Sequence, residues 1–254
     1  MNLFRYFIHL SYDGTNYHGW QRQPNGNSVQ QTLEQALGMI LRAGISVTGA
    51  GRTDTGVHAP EYYAHFDLDH LFSDTQAEKL VFKLNSYLPS DISIRRIFPV
   101  GEGIHARFSA ISRTYKYYIS RRKDPFRYPY SFFLHGDIDV PLMNSGTTVI
   151  RSTSDFTSFS KVDTDTRTNL CTVSFAEWMV TEDELIFTIT ANRFLRNMVR
   201  AIAGTLLDLG RHRINLDDLV RIIDSKNRSD AGDSVPAKGL HLVKIDYPEG
   251  VCTF

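Results

Sequence analysis

The chain has 254 residues, of which 42% are apolar and 22% charged. That is enough apolar material for a packed core, and it excludes a mostly disordered protein. Lysine plus arginine (28) equals aspartate plus glutamate (28), so bulk charge does not point to nucleic acid. The two cysteines, Cys171 and Cys252, lie too far apart for zinc spacing and argue against a disulfide framework, and no apolar run approaches the length of a membrane span.

Phe4 to Tyr12 is rich in aromatic and β-branched residues and reads as a strand. Asp13-Gly14 and Pro24-Asn25-Gly26-Asn27 are turn signals. Ser28 with Gln31 has the capping-box pattern, and Val29, Leu33, Leu37, Ile40 and Leu41 then recur at helical spacing until Gly44. Ile45 to Gly49 and Tyr62 to Leu68 read as strands. Ser73 with Gln76 opens a second capped helix, which Pro89-Ser90-Asp91 ends, and Ile92 to Phe98 completes a βαββαβ order.

The second half repeats this order. Thr114 to Ser120 is a tyrosine-dense strand. A helix is predicted over Val140 to Ile150, weakened by Gly146. Cys171 to Val180 and Glu184 to Thr190 form a predicted hairpin. Phe194 to Leu209 is predicted as a helix with an apolar stripe, and it places Arg193, Arg196 and Arg200 near one opposite stripe. Asn215 to Ser225 adds a helix, and Leu240 to Tyr247 is the last strand. The expected class is α+β: two tandem ferredoxin-like halves, residues 1–102 and 103–254, joined into one large mixed or antiparallel sheet with a central cleft.

Charge is segregated along the chain. Arg107, Arg113, Lys116, Arg121, Arg122, Lys123 and Arg127 are interrupted only by Asp124, whereas Asp67 to Asp91 is acid-rich. Such runs serve either as solvated faces or as contacts to phosphate. His58, His65 and His70 have no chelating spacing, so no metal is expected.

Gly49-Ala50-Gly51-Arg52-Thr53-Asp54-Thr55-Gly56-Val57-His58-Ala59 carries the most chemical information. Three glycines after a strand make a tight loop. An aspartate held there beside an arginine is either a turn cap or an ionised carboxylate in a cleft, able to act as a nucleophile or to stabilise a sugar cation. The motif Gly51 to His58 resembles the catalytic motif of the tRNA pseudouridine synthase A family. The resemblance covers nearly the whole chain. It continues through Tyr12 to Tyr17 with Gly19 to Gln23, Asn85, Leu88-Pro89 with Asp91-Ile92, His105 to Ala110 and Arg113 to Tyr117. Asp155 to Phe159, Asn192 to Gly204 and Gly239-Leu240 complete it. Ordered motifs at compatible spacing are far more specific than one short pattern. Thr55 departs from the alanine frequent in the family.

That resemblance implies isomerisation of uridine to pseudouridine in tRNA, on the 3′ side of the anticodon stem-loop, with Asp54 as the catalytic aspartate. Arg52, Tyr115, Arg200 and Leu240 are then substrate-binding residues. No cofactor or metal is needed for a reaction without net redox change. The resemblance also implies a homodimer with tRNA as partner. A cytoplasmic location without membrane contact is expected by default, since Met1 to Tyr6 has no signal-peptide pattern and no apolar run is long enough to span a membrane. Two alternatives are a non-catalytic RNA-binding protein of the same fold and a glycoside hydrolase. The hydrolase needs a second carboxylate, which the sequence does not offer.

Overall fold

The computed structural model describes residues 3–161 and 167–252, and it divides the chain into two compact units. One comprises residues 1–111 and 242–254, and the other comprises residues 112–241.

In the first unit the order is β1 (Phe4–Tyr12), α1 (Val29–Leu41), β2 (Thr48–Gly49), β3 (Ala59–Leu68), α2 (Asp74–Tyr87) and β4 (Ile92–Pro99). The strands form an antiparallel sheet in the order β2-β3-β1-β4. The Ser28 side chain accepts from Gln31 N–H at the start of α1. At the start of α2 both halves of the Ser73–Gln76 capping box form, a device that contributes about 1 kcal/mol. Arg42 takes the left-handed conformation (φ 55°) and stops α1 two residues before the expected glycine. Val29, Leu33 and Leu37 on α1 and Leu80 and Leu84 on α2 are buried. Asn85 ties α2 to β4, accepting from Ile94 N–H (2.7 Å) and donating to Ile94 O (2.8 Å).

The other face of this sheet is covered as well. Arg5 on β1 pairs with its cross-strand partner Asp67 through two 2.8 Å bonds and donates to Ile104 O. The Tyr247 ring meets Phe7 edge-on at 5.3 Å, and the Tyr247 hydroxyl donates to Ala106 O (2.6 Å). Ala106 N–H donates to His65 Nδ1 (3.1 Å). Residues 104–111 and the segment from Leu242 to Tyr247 therefore belong with the first unit.

The second unit has β5 (Ser112–Ser120), a two-residue β6 (Phe132–Phe133), α3 (Val140–Ser152), β7 (Val173–Val180), β8 (Glu184–Ala191), α4 (Met198–Gly210) and α5 (Leu216–Ser225). The start of β9 (Leu240–Asp246) also lies here. Its sheet order is β6-β5-β8-β7, with β9 pairing with β5. Gly146, which weakens α3 as an isolated helix, is explained by packing: a Cβ there would come 2.6 Å from Leu209 of α4. Asn144 repeats the helix-to-strand tie of the first unit, bonding both backbone groups of Trp178 (2.8 and 2.9 Å).

The structure corrects two expected elements. Helix α4 begins at Met198, not Phe194, because Asn197 sits at φ 68°, in the left-handed region where a helix cannot continue. Arg193 and Arg196 are therefore not helical, and the expected arginine stripe does not exist. Eleven of the thirteen α4 residues are buried, and Arg200 is one of two that are not. The predicted strand from Ile45 shrinks to Thr48–Gly49, and β6 is too short to leave a periodic signal.

Candidate active site

The Asp54 loop follows β2 and is clamped by a second loop, residues 12–20, that follows β1. The Tyr12 hydroxyl shares a 2.8 Å bond with Thr53 Oγ1. Trp20 N–H donates to Thr53 O (3.3 Å), and Gly56 N–H donates to Tyr17 O (3.3 Å). Two glycines permit this approach. A Cβ on Gly14 would stand 2.0 Å from Val57 O, and one on Gly19, itself at φ 88°, 2.3 Å from Thr53 O. Behind the loop, the Tyr62 hydroxyl donates to Gly51 O (2.5 Å) and its ring lies 4.2 Å from that of Trp20.

The clamp is itself braced. Asp91 accepts from the Tyr17 hydroxyl (2.6 Å) and from Asn16 Nδ2 (3.2 Å), and its carbonyl accepts from Asp13 N–H (2.9 Å). Burial and this carboxylate push the Tyr17 hydroxyl far above its ordinary pKa, so it remains a donor. Buried His58 places Nδ1 3.2 Å from Gly14 N and 3.0 Å from Asp13 Oδ1. Nδ1 without a proton accepts from Gly14 N–H, and Nδ1 carrying one donates to Asp13, so the ring links to the same loop with either arrangement. Leu242 N–H donates to His58 O (2.9 Å) and fixes the loop's far end.

Within this frame Thr53 is buried, Asp54 is half-buried and Arg52 is exposed. Asp54 O accepts from Val57 N–H (3.2 Å), closing a turn with Gly56 at φ 76°. The backbone is thus fixed on both sides of Asp54, a residue that is itself half-buried. A preorganised carboxylate of this kind needs little rearrangement to meet a substrate.

Tyr115, Arg200 and Leu240 belong to the second unit. Tyr115 on β5 is 9% exposed, and the Phe194 ring meets it edge-on at 5.1 Å. Its same-face neighbour Tyr117 is fully buried and donates to Pro236 O (2.9 Å), and burial raises its pKa. Arg200 Nε donates to Val235 O (2.7 Å), and Val235 N–H returns a bond to Arg200 O (3.2 Å). The segment 231–236 lies close against α4, since a Cβ on Gly204 would sit 1.8 Å from Asp233 O. Leu240 is 5% exposed and opens β9 directly after Gly239, where a Cβ would meet the Tyr117 ring at 2.7 Å.

Phe194 lies within the Asn192 to Gly204 motif but was given no role there, and the carbonyl of Val235 lies outside every motif. Backbone carbonyls leave no trace in residue identity. The only hint was glycine at 204 and 239. The motif Asp155 to Phe159 has a structural role: Asp155 accepts from Thr157 and pairs with Lys226 (3.0 Å), while Phe156 and Phe159 are fully buried. Among the described residues no group of three His, Cys, Asp or Glu side chains is arranged to hold a metal ion, and no helix is long and apolar enough to cross a membrane.

A family model described as tRNA pseudouridine synthase matches residues 9–109 and 153–248. A protein of Bacteroides fragilis named tRNA pseudouridine synthase A is 49% identical over 253 residues, covering 99% of each chain. One of that name from Parabacteroides distasonis is 50% identical and covers 96% of each. Another from Bacillus licheniformis is 39% identical, covering 94% of this chain and 97% of its own.

Proposed function

We propose, for a chain that belongs to the tRNA pseudouridine synthase family, that it isomerises uridine to pseudouridine in tRNA with Asp54 as the catalytic carboxylate. The observation that carries this reading is the Asp54 loop itself: the family motif stands intact, with its backbone clamped and Asp54 half-buried within it. The reaction breaks the bond between uracil N1 and ribose C1′ and forms one between C5 and C1′. The C5 proton leaves to solvent and N1 gains one, so no oxidant or co-reactant is required.

Asp54 assists departure of the base by attack on the sugar or base, or by stabilising the charge that develops. Arg52, exposed beside it, positions the RNA. Tyr115 stacks on the uracil, with Phe194 holding its ring from the edge. Arg200 binds an anionic group, its guanidinium aimed by the Nε bond to Val235 O. Leu240 packs on the base. A uridine in a stem must leave its stack before C1′ is reachable, and the proposed target is the 3′ side of the anticodon stem-loop. A cytoplasmic homodimer remains part of this reading. So do two tandem ferredoxin-like halves, supported by the element order βαββαβ and the strand order β2-β3-β1-β4 in the first unit.

The test is tritium release from unmodified tRNA carrying 5-tritiated uridine, comparing the parent with Asp54→Ala. The expected result is stoichiometric release with the parent and none with the variant, which still folds and binds tRNA. A parent that binds tRNA without releasing tritium is a binding protein, and one that liberates free uracil is a hydrolase.

A further inference from the structure

Residues 121–130, between β5 and β6, form a basic and aromatic surface of the second unit that the proposed chemistry does not use. Arg121, Arg122, Lys123 and Arg127 are all exposed. Between and beyond them Phe126 is 88% and Tyr128 66% exposed. The backbone beneath these rings is firmly held. Arg121 N–H donates to Asp183 O (2.9 Å), Phe126 N–H to Asp124 Oδ1 (2.8 Å) and Tyr130 N–H to Arg127 O (2.9 Å). Arg122 pairs with Asp183 (3.0 Å), and Arg127 pairs with Glu184. Pro125 and Pro129 restrict it further. Large aromatic rings left in water on a fixed backbone are preorganised for a partner, because little ordering remains when it arrives.

The neighbourhood indicates what that partner meets. Lys238 Nζ lies 3.4 Å from the Tyr128 ring centroid, a cation on one face of the ring. His241 Nε2 is 2.9 Å from Tyr130 O. The surface therefore contacts Lys238 and His241, which flank in sequence Leu240, the residue assigned above to the target base. Cations interleaved with exposed aromatic rings match unpaired nucleotides: rings stack on bases while arginine and lysine meet phosphate. A second copy of this chain fits less well, because a two-fold interface pairs a patch with its own copy and this one is rich in a single sign of charge.

We infer that Phe126 and Tyr128, with Arg121, Lys123 and Lys238, form a stacking platform for unpaired nucleotides flanking the target uridine. This rests on the tRNA reading above. It makes residues 121–130 a substrate-gripping surface and Phe126 and Tyr128 its stacking rings.

The experiment measures tRNA affinity and steady-state tritium release for the full chain, for Phe126→Ala/Tyr128→Ala and for Arg121→Ala/Lys123→Ala. Light scattering gives the oligomeric state and thermal melting checks the fold. The parent releasing no tritium would defeat the functional reading, whatever the variants do. With an active parent, the ring variant is expected to bind tRNA about 10-fold more weakly or worse, with KM bearing the change. Phe126→Trp/Tyr128→Trp should restore binding. The charge variant should lower the slope of log affinity against log salt by about one to two. Parent-like affinity and KM in a folded ring variant would overturn the platform. Dissociation of an oligomer by the ring substitutions would also overturn it, identifying the surface as a contact between copies.

Discussion

The Tyr12 hydroxyl and Thr53 Oγ1 lie 2.8 Å apart, linking the loop after β1 to the residue immediately before Asp54. Thr53 is buried, so removing the phenol oxygen strands its hydroxyl. Tyr12→Phe is expected to destabilise the protein by about 1–3 kcal/mol. It should also lower kcat more than it raises KM, because the loop that aims Asp54 loosens while Tyr115, Arg200 and Leu240, which lie in the second unit, are untouched. Urea unfolding and tritium-release kinetics check both; an unchanged kcat would show that this bond does not position Asp54.

Gly14 and Gly51 should respond oppositely to the same change. Gly14→Ala would place a Cβ 2.0 Å from Val57 O, a backbone atom that cannot turn aside, whereas a Cβ on Gly51 meets nothing within 4 Å. The expected cost at Gly14 is about 3 kcal/mol or more, with activity lost. Gly51→Ala should stay within about 1 kcal/mol of the parent. Melting temperatures of the two variants, measured side by side, decide this.

Arg200→Lys keeps the charge but removes the Nε donor that reaches Val235 O at 2.7 Å. A lysine places a point charge on a flexible stem and cannot fix a fork. The expected outcome is at least a 10-fold fall in kcat/KM with a melting temperature within a few degrees of the parent. Parent-like kcat/KM would remove Arg200 from the proposed site.

Acid should weaken the first unit through His65. Burial, then the nearby Arg5, lowers its pKa from 6.5 to about 4. Between those values the unfolded chain binds the proton and the folded protein does not. Stability is therefore complete above pH 6.5 and lost as pH falls towards 4, with a slope of up to about 1.4 kcal/mol per pH unit. Burial and Arg95 push His9 the same way, also to about 4. Urea midpoints measured from pH 7 to 4.5 should fall for the parent, and less steeply for His65→Gln. Equal slopes would assign the acid sensitivity elsewhere.

Local signals in the sequence located most of these elements. Phe4–Tyr12 has its expected bounds, and the Ser73–Gln76 cap begins α2 where the pattern places it. What the sequence did not reveal depends on tertiary partners. Apolar spacing from Leu195 onward looks helical, and only the left-handed Asn197 breaks it, a conformation that asparagine permits without announcing it. The Asp54 motif was legible as a glycine-bounded loop. Its clamp was not, because Gly14 marks a turn and Gly19 lies in a motif, while the carbonyls they approach belong to Val57 and Thr53, far along the sequence. The arginines show the same limit. Their spacing gives a stripe on a helix, but only Arg200 lies on one.

The first unit is discontinuous: Leu242 secures the Asp54 loop at His58 O, and Tyr247 covers Phe7 and holds Ala106. During synthesis the segment carrying Asp54 leaves the ribosome early, yet it waits for almost the entire chain before these contacts can form. The second unit, continuous over residues 112–241, also draws on β9, which pairs with its β5. A nascent chain truncated before Leu242 therefore carries the whole Asp54 motif without the strand that secures it.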